Sequence, residues 1–184
     1  MTDIASLRSF FSTVPWCARL LEDSSVILSV PACRQPHMDN TLWKQTFNTA
    51  DTVPAMLVLH HKSVIPESPL VREVNMLVSL GGGLSGFPGT CHGGILQTIL
   101  DESMVTLILT NVNENTGLKY SWFSTVSMNT VFMKPVRIPA TLLAVVAITR
   151  VEERKLYLTT TLKDGSGVAL VKADAVFVGL RNKL

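Results

Sequence analysis

Apolar residues along this chain change their spacing near residue 53. Upstream, Leu7, Phe10, Phe11, Val14, Trp16, Leu20 and Leu21 recur at loosely helical intervals, interrupted by Pro15, which has no N–H to give a helix interior. Pro31 and Pro36 mark a loop, and Asp39-Asn40-Thr41 offers side-chain oxygens able to cap a short helix bearing Leu42, Trp43 and Phe47. Residues 1–50 therefore predict a helical extension laid over a later sheet, not an independent domain. Downstream the pattern is that of strands. Residues 55–61 are short and apolar between Pro54 and Pro66, and residues 71–80 stop at three glycines. From His92 to about Asn113 runs the one long helical stretch. Ile95, Leu96, Ile99, Leu100, Leu107 and Ile108 cover most of its circumference, so it should be buried. Four further strands follow, at 122–133, 140–151, 155–162 and 168–178, with hinges short enough for antiparallel neighbours. One core satisfies this order if an antiparallel sheet curls around a single helix. The expected fold is α+β, with residues 51–184 as the sheet-and-helix domain.

Composition sharpens the picture in two places. The chain of 184 residues is 47% hydrophobic and 16% charged, with mean hydropathy +0.32, which suggests surface buried between copies of the chain. The net charge of +2 arises from 16 basic and 14 acidic residues spread along the sequence, with no basic stripe of the kind that holds nucleic acid. Cys17, Cys33 and Cys91 show no metal-ligand spacing, so neither zinc nor a disulfide is expected, and a reducing, cytoplasmic setting is. The last residues, Asn182-Lys183-Leu184, resemble a peroxisomal tripeptide only faintly, and a peroxisomal or mitochondrial address stays open. No apolar run reaches the roughly 18 residues of a membrane span, and the N-terminus lacks the layout of a signal peptide.

The chemistry concentrates at Cys91-His92-Gly93-Gly94 and the helix that follows, which carries Asp101 among apolar neighbours, with Thr98 and Val105 on adjoining turns. A carboxylate on a core helix loses solvation and costs free energy unless it is paired or used. Glu102 lies roughly 100° further around the helix and reads as a structural or rim residue. Cys91 beside His92 lacks a third orienting group for a thiol nucleophile, and His60 and His61, on opposite faces of the first strand, look like sheet-edge residues.

His92-Gly93-Gly94, six residues and Asp101, preceded by Pro88-Gly89 and followed by Thr125 ten positions before Pro135 in Phe132-Met133-Lys134-Pro135, resembles the hotdog-fold thioesterases of the branch related to bacterial phenylacetyl-CoA thioesterase. The resemblance covers roughly residues 53–180. It implies an acyl-CoA or acyl-carrier-protein thioester as substrate, no metal or redox cofactor, and a homodimer or dimer of dimers. In such an assembly the His92/Gly93 end of one helix faces Asp101 and Thr125 of another subunit. By the same resemblance Asp101 acts as general base or nucleophile, and the Gly93 N–H at the helix start holds the oxyanion. His92 bonds the carbonyl oxygen or sulfur, or caps the helix, and Thr125 orients water or steadies Asp101. Gly86, Pro88, Gly89 and Gly94 are expected along the substrate's path, Gly86 standing where some members carry Asn or Gln. No Lys/Arg cluster flanks the motif in sequence, so a carrier-protein donor is as plausible as CoA. Two rivals use the same fold: a dehydratase or cyclase working on a β-hydroxyacyl or polyketide thioester, and a non-catalytic acyl-binding protein.

Overall fold

Asp3 opens the described chain as an N-cap: its carboxylate accepts from the Ser6 N–H at 2.8 Å and starts α1, Ile4–Ser12. Pro15 then sits at the first turn of α2, Pro15–Leu21, where its missing N–H costs nothing. The computed structural model describes residues 3–61, 70–114 and 116–180; the Asn182-Lys183-Leu184 tripeptide lies outside them. Next come β1 (Ile27–Ser29), β2 (Ala55–His60), β3 (Glu73–Leu80), the small hairpin β4 (Ser85–Phe87) and β5 (Thr90–Cys91), and α3 (Gly93–Asn113). The chain ends in β6 (Phe123–Phe132), β7 (Ala140–Glu152), β8 (Lys155–Lys163) and β9 (Ala169–Gly179). Between β1 and β2 the Asn40 side chain accepts from the Trp43 N–H at 3.2 Å, capping one helical turn at Leu42–Thr46.

Seven strands form one antiparallel sheet in the order β1-β2-β3-β7-β8-β9-β6. Strands β7, β8 and β9 alternate buried and half-covered residues, and the buried set, including Leu142, Ala144, Leu158, Leu162, Val171 and Phe177, packs with Ile99, Leu100, Met104 and Leu107 of α3. This is the hotdog arrangement expected from sequence. At its far end α3 is tied to the sheet by Asn111, whose side chain bonds both the N–H (2.8 Å) and the C=O (2.9 Å) of Val71 as a neighbouring strand would. By length and composition alone α3 could cross a membrane, but it carries Asp101 and Glu102 and most of it is packed inside this sheet as a core helix.

The opposite face of the sheet carries a second core. Leu7, Phe11, Cys17 and Leu21 of α1 and α2 pack on Ala55, Leu57, Leu59 and Leu77, so the N-terminal helices do lie on the sheet. Strand β1, which the sequence pattern missed, pairs with β2. It therefore makes β2 an interior strand and corrects the expectation for His60. That residue is buried beside β1, not at a sheet edge, with Nε2 2.5 Å from Glu114. His61 is exposed, 3.3 Å from Ser25.

Candidate active site

Helix α3 begins abruptly because His92 ends the hairpin and caps the helix itself: its Nδ1 accepts the Gly94 N–H at 3.0 Å. A neutral imidazole bonded that way carries its proton on Nε2, leaving a donor on the exposed side of the ring. Gly93, the first helical residue, has no intrahelical acceptor for its N–H, and that N–H sits at the positive end of a 21-residue helix. A methyl group on Gly86 would come within 3.1 Å of three His92 atoms; the absent side chain is what lets the imidazole lie flat on the hairpin. Gly89 holds the hairpin turn with φ +65°.

These residues open onto a groove of about 470 Å³ lined by Gly86, Phe87, His92, Gly93, Phe132 and Lys134, among others. Of the expected substrate-binding glycines, Gly86 lines it. Pro88 and Gly89 form the hairpin tip, and Gly94 spends its N–H on His92. The structure brings two cations to the groove, Lys134 of the Phe132-Met133-Lys134-Pro135 motif and Arg137 beyond it, although no cluster was evident in sequence. Lys134 lines the groove, and Arg137 reaches its rim, donating to Thr90 Oγ1 at 2.8 Å. Cys91 is buried, and burial pushes its thiol up to about 11, which leaves almost no thiolate near neutrality.

Asp101 stands elsewhere. It lies on the only stripe of α3 that the sheet leaves partly open, with Thr98, Val105 and Leu109. The Thr125 hydroxyl of the exposed edge strand β6 donates to its Oδ1 at 2.8 Å, the one side-chain bond Asp101 makes among the described residues, which fixes one carboxylate oxygen and leaves the other open. Eight residues separate Gly93 from Asp101, which at helical rise is about 12 Å along the axis. One chain therefore brings His92, Gly93 and Gly86 together at one end of α3, and Asp101 with Thr125 at its middle.

For Glu102 the structure decides between the two sequence readings, structural or rim: it is a buried residue, not one at the rim. It is 8% exposed, and lies under the segment that precedes β2. Burial pushes its carboxyl up to about 7, with the charge of Asp101 adding to the rise, while the Cys33 thiol, the Trp43 indole and the more distant Arg34 pull it down. Arg34 is itself buried and anchors this segment, donating to the carbonyls of Phe47 (2.8 Å) and Val53 (2.7 Å) and to the Asn48 side chain. No motif in the sequence marked Arg34 or Glu102. The only available signal was a second carboxylate on an apolar helix.

Fold and site together define a hotdog protein with a carboxylate-bearing central helix. Residues 88–171, a little under half of the chain, match the thioesterase superfamily. Among solved structures, a hypothetical thioesterase from Streptococcus pneumoniae TIGR4, determined with coenzyme A, is 15% identical with a TM-score of 0.52, covering 59% of this chain and 79% of that one. The E. coli PaaI protein from the phenylacetic acid degradation operon is 12% identical with a TM-score of 0.51, covering 59% and 73%. At these identities the likeness is one of fold. A curated relative, verlamelin biosynthesis protein B from Lecanicillium sp., is 29% identical, and the match covers 53% of each protein, so the chain spans about half the length of that relative.

Proposed function

We propose that this protein is an acyl thioesterase that hydrolyses an acyl-CoA or acyl-carrier thioester to free acid and thiol, and that its active site is assembled from two copies of the chain. The observation that carries the reading is the 2.8 Å bond from Thr125 to Asp101 on the uncovered stripe of α3. A carboxylate held by one oxygen and open on the other is suited to take a proton from water or to attack a carbonyl itself. Among the described residues its stripe supplies no competing partner: Val105 and Leu109 are apolar, and the Thr98 hydroxyl donates to the Gly94 carbonyl at 2.9 Å.

In the hydrolytic cycle, water loses its proton to Asp101 as its oxygen bonds to the thioester carbon. The resulting oxyanion needs donors at hydrogen-bond distance, and the Gly93 N–H with the dipole of α3 offers them. Collapse expels the thiolate, a good leaving group. Because Gly93 and Asp101 of one chain lie about 12 Å apart along the helix, the donor must come from a second copy. Exposed Trp122, Val126, Val131 and Phe132 along β6 provide an apolar seam for that copy. Lys134 and Arg137 beside the groove favour a donor that carries phosphate, as both CoA and a phosphopantetheine arm do.

The test is thiol release from aryl-, short- and long-chain acyl-CoAs and the matching N-acetylcysteamine thioesters. Asp101→Asn should lower kcat by about 10²–10⁴ without loss of folded protein. Mixing Asp101→Asn subunits with His92→Ala subunits should restore activity, since one site of each hybrid pair is then intact. Hydrolysis that survives Asp101→Asn would sink the mechanism, and mixing without recovery would sink the shared site. An intact thioester with an altered acyl chain would instead identify a dehydratase or cyclase.

A further inference from the structure

Beside Asp101 the molecule holds a second cavity, about 260 Å³ in volume, that the proposed chemistry does not use. One wall is α3, through Glu102, Val105, Ile108 and Leu109. Another is the approach to β6, through Trp122 and Phe123, and the third is the N-terminal segment, through Cys33, Met38, Asp39 and Asn40. That third wall lies outside the stretch matched to the superfamily, residues 88–171, so it is a feature of this chain and not of the shared segment.

The position of the cavity says what leads into it. Val105 and Leu109 follow Asp101 at one and two turns along the same stripe of α3, and Phe123 precedes Thr125 by two residues on β6. A thioester carbonyl held at Asp101 and Thr125 would send its acyl chain this way. Most of the lining is apolar, as an acyl chain requires. The polar members are Asp39, Asn40, Ser121 and Glu102, and of these only Glu102, 8% exposed, is buried. A carboxylate has acceptor capacity for about four hydrogen bonds. The Cys33 thiol and the Trp43 indole are set against it, while the buried Arg34 spends its terminal nitrogens on Asn48, Phe47 and Val53, its Nε finding no partner among the described residues. Two such neighbours do not fill that capacity, and Glu102 lines the cavity, where an all-hydrocarbon chain would offer it no donor.

Building on the thioesterase reading, we infer that the preferred acyl group carries a hydroxyl partway along its chain, and that Glu102 selects it by accepting that hydroxyl's hydrogen bond inside this cavity. The same wall disfavours acyl groups that end in a carboxylate, since Asp39 presents like charge.

The experiment compares kcat/KM for decanoyl-CoA with that for its monohydroxy isomers, in wild type, Glu102→Gln and Glu102→Met. At least one isomer should exceed the unsubstituted chain by about tenfold or more in wild type. The ratio should drop toward unity in Glu102→Met and fall between in Glu102→Gln, whose amide keeps the shape of the carboxyl group and serves if the Met variant does not fold. Calorimetric binding of non-hydrolysable decyl- and hydroxydecyl-CoA thioethers to the same proteins reads the pocket without any turnover. Absence of hydrolysis, with tighter Glu102-dependent binding of the hydroxy thioether, would refute the thioesterase reading and keep the selection. Equal handling of hydroxylated and plain chains by wild type, or a preference unchanged in both variants, would overturn it.

Discussion

Strands β2 and β6 are both apolar, yet they end in opposite environments. All six residues of β2 are buried, because the strand is covered twice: Met56 and Val58 face the α3 core, while Ala55, Leu57 and Leu59 face α1 and α2. Among the described residues strand β6 has a neighbour on one edge only, β9, and leaves Val126, Val131 and Phe132 about half exposed. The N-terminal helices finish one flank of the sheet, and none of the described residues finishes the other. The open flank is also where Thr125 meets Asp101. The most thoroughly covered strand and the candidate site thus lie at opposite flanks of one sheet.

The largest effect that follows is on stability. Leu57→Ala removes side-chain volume between two covered layers and should cost about 2–5 kcal/mol in denaturant unfolding. Val126→Ala should cost about 0.5 kcal/mol or less in dilute protein and more as the concentration rises and copies associate. Equal costs at the two positions, independent of concentration, would break the contrast and with it the argument that β6 awaits a second copy.

The same contrast explains what could be read from sequence. Strands β7, β8 and β9 were legible within a residue or two because a sheet with one well-packed face imposes alternation, and α3 because its apolar residues run all round. Asp101 and His92 were legible as polar residues in a pattern that has no packing use for them. Strand β1 was not, since three half-buried residues carry no period. Nor were the burial of His60 and Glu102, which depends on what the N-terminal segment lays over them. Lys134 and Arg137 reach the groove through the pairing of Thr90 with Arg137, more than forty residues away in the chain.

Glu102 gives the next effect, and its sign can be worked out. Its carboxyl titrates at about 7 in the folded chain against an ordinary 4.5, so folding favours the protonated form. The stability tied to that proton is whole below about pH 4.5 and is lost as pH rises through 7. At the scale of one pKa unit per 1.4 kcal/mol the loss is at most about 3 kcal/mol. Glu102→Gln mimics the protonated group, so it should match wild type near pH 4 and be more stable by up to that amount at pH 8. The check is a pair of unfolding curves at each pH; a constant difference would mean that the group is not titrating in this range.

The smallest effect belongs to Thr125, and it separates the two flanks most cleanly. Its hydroxyl is exposed and bonds only the carboxylate of Asp101 among the described residues, so Thr125→Val should leave the unfolding temperature unchanged. If the hydroxyl holds Asp101 in the orientation that accepts the proton of water, its loss should lower kcat by about tenfold, the worth of one hydrogen bond to a charged group, with KM little altered. Thr125→Ser should recover most of that rate. A fall in stability without a fall in kcat would make Thr125 a packing residue of β6. A fall in kcat that serine does not rescue would mean that the methyl group, and not the bond to Asp101, shapes the site.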